Sequence, residues 1–168
     1  MQQNVPEFRD LLKALNEQGV RFVIVGGFAM ILHGATYVTF DLDLAISPDP
    51  SNATAIVRAL AHFRPFPPEF GSPESVVWDE RSITGSVVSL VTSAGSVDIL
   101  RVLPEIESFE ALWERSGERM IFDALVRVAS IDDLIKMKEA ANRPKDLNHI
   151  QELRVLKHLL SVEGPKER

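Results

Sequence analysis

Asp41 and Asp43 stand two residues apart in the run Phe40-Asp41-Leu42-Asp43-Leu44-Ala45-Ile46, where apolar and acidic residues alternate. Alternation with period two marks a half-buried strand, so both carboxylates leave one face while Phe40, Leu42 and Leu44 anchor the other. Carboxylates that close repel one another unless a proton or a cation sits between them. Magnesium suits such a pair, because it takes hard oxygen ligands and completes its shell with substrate phosphates. A third acid, Asp98, interrupts the apolar run Gly95-Ser96-Val97-Asp98-Ile99-Leu100. A charge on a buried strand is costly unless it is paired or metal-bound, although an exposed edge would also tolerate it. Taken alone, Asp41 and Asp43 fit the solvated face of an ordinary strand as well as a metal site.

The segment upstream changes the balance. Val20 to Val25 is a compact apolar run that ends in Gly26-Gly27, fourteen residues before Asp41. A strand that breaks into a glycine-opened helix presents free backbone N–H groups and the positive end of the helix dipole. Glycine also lets the backbone come close to a phosphate. The plainer use of the pair is a tight strand-to-helix turn with no ligand. Three strand carboxylates beside a phosphate turn are nevertheless the set needed for two-metal phosphoryl transfer.

These residues must be carried by a frame, and its order is legible. Phe8, Leu11, Leu12 and Leu15 recur at helical spacing between Pro6 and Gly19. A strand over 20–25 and a short helix to about Leu32, stopped by Gly34, come next, then the Asp41/Asp43 strand. Asp49 and Pro50 predict the start of a helix to about Phe63. Residues 64–82 hold Pro65, Pro67, Pro68, Gly71 and Pro73 and read as an irregular connection. Strands over 87–92 and 96–102, joined by Ser93-Ala94-Gly95, form a hairpin. A helix over 108–116, a strand over 124–129 and a helix capped by Ser130 and Asp133 follow. Pro144 separates that helix from a last one ending near Gly164. The expected fold class is α+β, with one mixed sheet flanked by helices: a single domain over 1–168, its sheet core over 1–129 and a C-terminal helical pair over 130–164.

Bulk properties narrow the function classes. The chain has 168 residues, 45% of them hydrophobic and 25% charged, and no cysteine, which excludes disulfides and thiol catalysis. The longest apolar stretch, Phe22 to Leu32, is far short of the roughly 20 residues of a membrane span. The polar N-terminus does not resemble a signal peptide, and a cytoplasmic setting is the expectation. A net charge of −6 argues against an extended grip on nucleic acid. Residues 134–168 nevertheless carry eight basic against five acidic residues, leaving ten basic against nineteen acidic before them. A basic tail on an acidic body suits phosphates on one wall and metal on the other, and equally a helix with solvated lysines. His33 reads as structural, and Trp78 and Trp113 as packing residues.

Gly26-Gly27, Asp41-Leu42-Asp43 and Asp98 together resemble the DNA polymerase beta-like nucleotidyltransferase superfamily. RFVIVGGFAMILHGATYVTFDLDLAIS (21–47) looks like the small nucleotidyltransferase proteins related to toxins of type IV toxin–antitoxin systems. DLIKMKEAANRPKDLNHI (133–150) resembles that group's C-terminal motif with its Lys-Asp pair. The resemblance implies a Mg2+-dependent (or Mn2+-dependent) enzyme that moves a nucleoside monophosphate from an NTP to an acceptor, which could be an RNA end, a protein or a small molecule. It implies that Asp41, Asp43 and Asp98 carry the metals, with Asp98 also helping to deprotonate the acceptor. Gly26 and Gly27 would approach the triphosphate, while Lys138, Arg143 and Lys145 neutralise it and Asp146 braces their segment. A cognate antitoxin protein is the implied partner. Two positions depart from the pattern: Tyr37 stands where relatives often carry a basic residue, and His149 where they often carry a second acid. A catalytically silent domain that binds a nucleotide or a partner is the alternative, and an interaction module whose acids merely decorate the surface is a third.

Overall fold

The computed structural model describes residues 8–163, so Pro6 as a helix start and Gly164 as a helix end lie outside the described residues. Helix α1 (Phe8–Glu17) buries Phe8, Leu11, Leu12 and Leu15, the one-sided spacing of an amphipathic helix. Strand β1 (Phe22–Val25) is buried along its whole length and runs directly into helix α2 (Gly26–Leu32). Strand β2 (Asp41–Ile46) follows, then helix α3 (Pro50–Leu60). Pro50 does open that helix, but Asp49 makes no side-chain cap bond; its Oδ2 accepts instead from Ser47 Oγ at 3.0 Å. The proline-rich connection folds into short 3-10 turns before strands β3 (Val87–Thr92) and β4 (Gly95–Leu100). Helix α4 (Phe109–Arg115), strands β5 (Gly117–Ile121) and β6 (Ala124–Val128), and helices α5 (Ile131–Ala141) and α6 (Pro144–Glu163) complete the chain. Ser130 caps α5 by accepting from the Asp133 N–H, as the sequence spacing predicts.

The six strands form one sheet in the order β3-β4-β2-β1-β6-β5. Its pairing is mixed: β2–β4 and β1–β6 are parallel, the other pairs antiparallel. The α+β class with a mixed sheet and C-terminal helices is what the sequence predicts. Strand β5 is not predicted. Gly117-Glu118-Arg119-Met120-Ile121 is an edge strand with hardly a buried residue, so it carries no alternation to detect. Its hairpin turn, Phe122-Asp123, has positive φ at both residues, a conformation that Asn-Gly usually signals and this pair does not.

Among the described residues no helix is long and apolar enough to cross a membrane. His33 and the tryptophans are held by the frame. His33 Nε2 lies 2.8 Å from the Ala129 carbonyl oxygen, and burial lowers the ring's pKa. Trp78 Nε1 donates to Val57 O at 2.9 Å. The guanidinium groups of Arg21 and Arg127 lie over the Trp113 ring, 4.7 and 4.5 Å from its centroid. These two basic neighbours are distant from Trp113 in sequence.

Candidate active site

The centre of the sheet positions the acids. Leu42, Leu44, Val97 and Ile99 point into the core and are at most 1% exposed. The alternate residues of β2 and β4 therefore look the other way. Parallel pairing sets Asp43 directly opposite Asp98, and Asp41 opposite Ser96. Across parallel strands, residues in register project from the same face, so Asp98 meets Asp43 rather than pointing across the sheet.

A cleft of about 220 Å³ opens over this pair, lined among others by Gly26, Asp43, Asp98, Lys138 and Arg143. Five of the eight residues singled out from the sequence thus line one cleft. The other three lie around it. Gly27 supplies its backbone N–H to the Asp43 carboxylate, and the charge of Asp41 reaches Asp43. Asp41 itself is exposed at the first position of β2. Lys145 is exposed and does not line the cleft, although its charge is felt by Lys138. Among the described residues no three carboxylate or histidine side chains already converge on one ion-sized point.

Burial, the largest influence, pushes the Asp43 carboxyl up to about 6. The neighbouring charges of Asp98 and Asp41 push in the same direction, as does a hydrogen bond with Asp98 that requires the proton. The Gly27 N–H acts the other way. Two neighbouring carboxylates, one of them largely desolvated, make a hard-oxygen donor pair whose repulsion a divalent ion would relieve.

Gly26 has φ +66°, in the left-handed region, and a Cβ added to it would overlap the Asp43 carboxylate, 2.7 Å from its Cγ. The glycine is therefore needed so that the turn can seat against an aspartate. Gly27 faces elsewhere: a Cβ there would lie 2.6 Å from Tyr37 Cε1 and 3.2 Å from Thr39 Oγ1.

The C-terminal helices close the other wall. Lys138 is only 8% exposed, so the idea of a solvated lysine does not hold for it. Its Nζ donates to His149 Nδ1 at 3.2 Å and, more weakly, to Asp146 Oδ1 at 3.5 Å. Burial lowers its pKa, and the adjacent Arg143 and Lys145 add to that while Asp146 opposes it. Asp146 is 1% exposed and accepts from Arg143 three times: from its backbone N–H at 3.1 Å, Nε at 2.9 Å and the terminal nitrogen at 3.2 Å. Burial would raise the Asp146 pKa, but the bonds from Arg143 and the nearby Lys138 charge outweigh it and hold the group at about 2. Asp146 thus braces the segment, as the sequence suggests.

The two departures, Tyr37 and His149, touch each other: their rings meet edge to face with centroids 4.8 Å apart. Neither is picked out as a site residue from sequence. The burial of Lys138 did leave a signal there, because it follows Ile131 and Leu134 at the spacing of one helical face.

The model of the family described as "Nucleotidyltransferase of unknown function (DUF6036)" matches residues 4–163. Among solved structures, the fold is similar to the solution structure of the antibiotic-resistance factor ANT(2'')-Ia. That likeness covers 92% of this chain and 83% of that chain at 17% identity, with a TM-score of 0.53. TM1012 from Thermotoga maritima aligns over 92% of this chain and 90% of that chain at 17% identity, with a TM-score of 0.48. A search of curated proteins returns no match.

Proposed function

The chain belongs to the nucleotidyltransferase family matched over residues 4–163, and from that premise we propose that its cleft transfers a nucleoside monophosphate from an NTP to a hydroxyl acceptor. The observation that supports this most is the Asp43–Asp98 pair, set in register beneath a glycine turn and faced by Lys138 and Arg143. In the reaction the acceptor oxygen bonds to the α-phosphorus, the bond to the β-phosphate oxygen breaks, and pyrophosphate leaves. Asp41, Asp43 and Asp98 would hold Mg2+, or Mn2+ in its place. A divalent ion there supplies charge neutralisation on the phosphates and acidifies the acceptor hydroxyl. Asp98 receives the acceptor's proton. Gly26 and Gly27 admit the triphosphate close to the backbone, while Lys138, Arg143 and Lys145 balance its charge. The work of the protein is then mostly positioning and electrostatics, as in phosphoryl transfer generally.

The acceptor class is open among an RNA end, a protein and a small molecule, and a toxin-like role with an antitoxin partner remains part of the proposal. A silent nucleotide-binding domain is the rival. Magnesium-dependent release of pyrophosphate from each NTP, measured with candidate acceptors, separates the two. Nucleotide binding with no release for any acceptor would favour the silent domain.

Gly27→Val tests the turn. The added side chain must displace Tyr37 and Thr39, which stand where its Cβ would go. The expected outcome is triphosphate binding weakened about tenfold or more, close to 1.4 kcal/mol, with a thermal midpoint within a few degrees of the parent. Calorimetric titration with a non-hydrolysable NTP reads the first, and thermal unfolding the second. A folded variant with parental affinity would remove the turn from the site.

A further inference from the structure

We infer that His149, braced by Tyr37, is a positioning residue that aims the Lys138 ammonium at the phosphates of the bound NTP. This rests on the nucleotidyl-transfer proposal and extends it to two residues outside the resemblance.

The geometry begins with Lys138. An ammonium is a donor only, so in the 3.2 Å contact with His149 the ring nitrogen Nδ1 must be the acceptor. His149 is then neutral and carries its proton on Nε2. Burial and the Lys138 charge both lower the His149 pKa, which keeps the ring in that form at neutral pH. Of the three N–H bonds of the ammonium, one goes to His149 and one to Asp146. The third has no protein partner among the described residues, and the side chain lines the cleft with Gly26, Asp43, Asp98 and Arg143. Two fixed acceptors on a tetrahedral donor determine where its remaining N–H points.

The ring needs a fixed orientation to serve, and Tyr37 provides it. The tyrosine sits between the glycine turn and α6: one edge occupies the space a Gly27 side chain would need, and the ring packs against His149 at 65° between planes. The same segment is tied to α6 a second time by the Thr36 N–H, which donates to Glu152 Oε1 at 2.9 Å. The loop before Asp41 and the helix that carries His149 are therefore one assembly, with Lys138 as its output.

The competing role for His149 is to fill space beneath Tyr37, and leucine does that equally well without an acceptor. Asparagine is smaller, but places Oδ1 where the histidine has Nδ1. Calorimetry with magnesium and a non-hydrolysable ATP analogue should find His149→Leu weakened several-fold and His149→Asn restored most of the way to the parent. In a Lys138→Ala background, His149→Leu should cause no further loss, because the histidine acts only through the lysine. Thermal unfolding of each variant serves as the folding control. Equal affinities for His149→Leu and the parent would overturn the inference. So would a loss of the same size with and without Lys138, or an asparagine variant no better than the leucine one. If the parent itself binds no triphosphate, the nucleotidyl-transfer proposal falls first and this inference with it.

Discussion

Asp43→Asn should abolish nucleotidyl transfer and, in the absence of divalent ions, raise the thermal midpoint of the protein at pH 8. The first effect follows from removing a hard anionic ligand from the centre of the carboxylate set. A metal ion contributes several kcal/mol of transition-state stabilisation, so loss of its ligand should cost at least about 10²–10³-fold in rate. The second effect follows from what Asp43 does without a cation. Its pKa is raised from 3.8 to about 6 by burial and by Asp98 and Asp41. The folded protein then binds this proton more tightly than the unfolded chain does. Stability falls as pH rises from about 4 to about 6, and the full penalty persists above that. The size is on the order of 3 kcal/mol. Asparagine imitates the protonated acid, since its amide can donate to Asp98 while its oxygen still accepts from Gly27.

The gain should therefore appear at pH 8 and vanish below about pH 4, where parent and variant carry the same charge at this position. With roughly 2–4 °C per kcal/mol for a chain of this size, the midpoint should rise by several degrees at pH 8. Magnesium should stabilise the parent and leave the variant nearly unmoved. Thermal unfolding at both pH values, with and without magnesium, measures all of this. An asparagine variant that is less stable at pH 8, or that retains more than about a hundredth of parental transfer, would contradict the proposed role of Asp43.

The site was legible in proportion to how local its signals are. Asp41-Leu42-Asp43 announces itself because a strand alternates, and the alternation needs only seven consecutive residues. Gly26-Gly27 does the same at the end of an apolar run. Asp98 could be named as a third acid, but its position opposite Asp43 depends on β4 pairing parallel to β2 across more than fifty residues of chain. No local pattern encodes that register. The same holds for Tyr37 and His149, which stand more than a hundred positions apart and meet only because α6 packs back over the loop before β2. Lys138 is a different case. Its charge suggested a solvated face, yet it lies one helical turn after Leu134 on a buried one, and Asp146 with His149 resolves that conflict by supplying acceptors. The β5 edge strand was hidden for lack of a core-facing side.

Gly26→Ala should be the most damaging small substitution in the site, and the reason lies in Asp43 rather than in any ligand. Alanine meets two obstacles there. Its backbone would have to hold φ +66°, a left-handed conformation that costs an L-residue about 1–2 kcal/mol. Its Cβ would also overlap the Asp43 carboxylate, with Cγ at 2.7 Å and Cβ at 3.0 Å. Asp43 cannot easily retreat, because its strand is paired on both sides, to β1 and to β4. Relief must come from rotating the carboxylate away from Asp98 or from opening the turn. Either move dismantles the arrangement proposed to bind metal and phosphate. The expected result is a stability loss of roughly 2–4 kcal/mol together with loss of transfer. The two obstacles are separable by a double-mutant cycle. In an Asp43→Ala background the carboxylate is gone and only the Cβ contact at 3.0 Å is left, so Gly26→Ala should cost little more than the backbone share, about 1–2 kcal/mol. Denaturant unfolding of the four proteins supplies the numbers. Strict additivity would mean that Gly26 and Asp43 do not share space, and would leave the glycine as a turn residue with no part in shaping the carboxylate site.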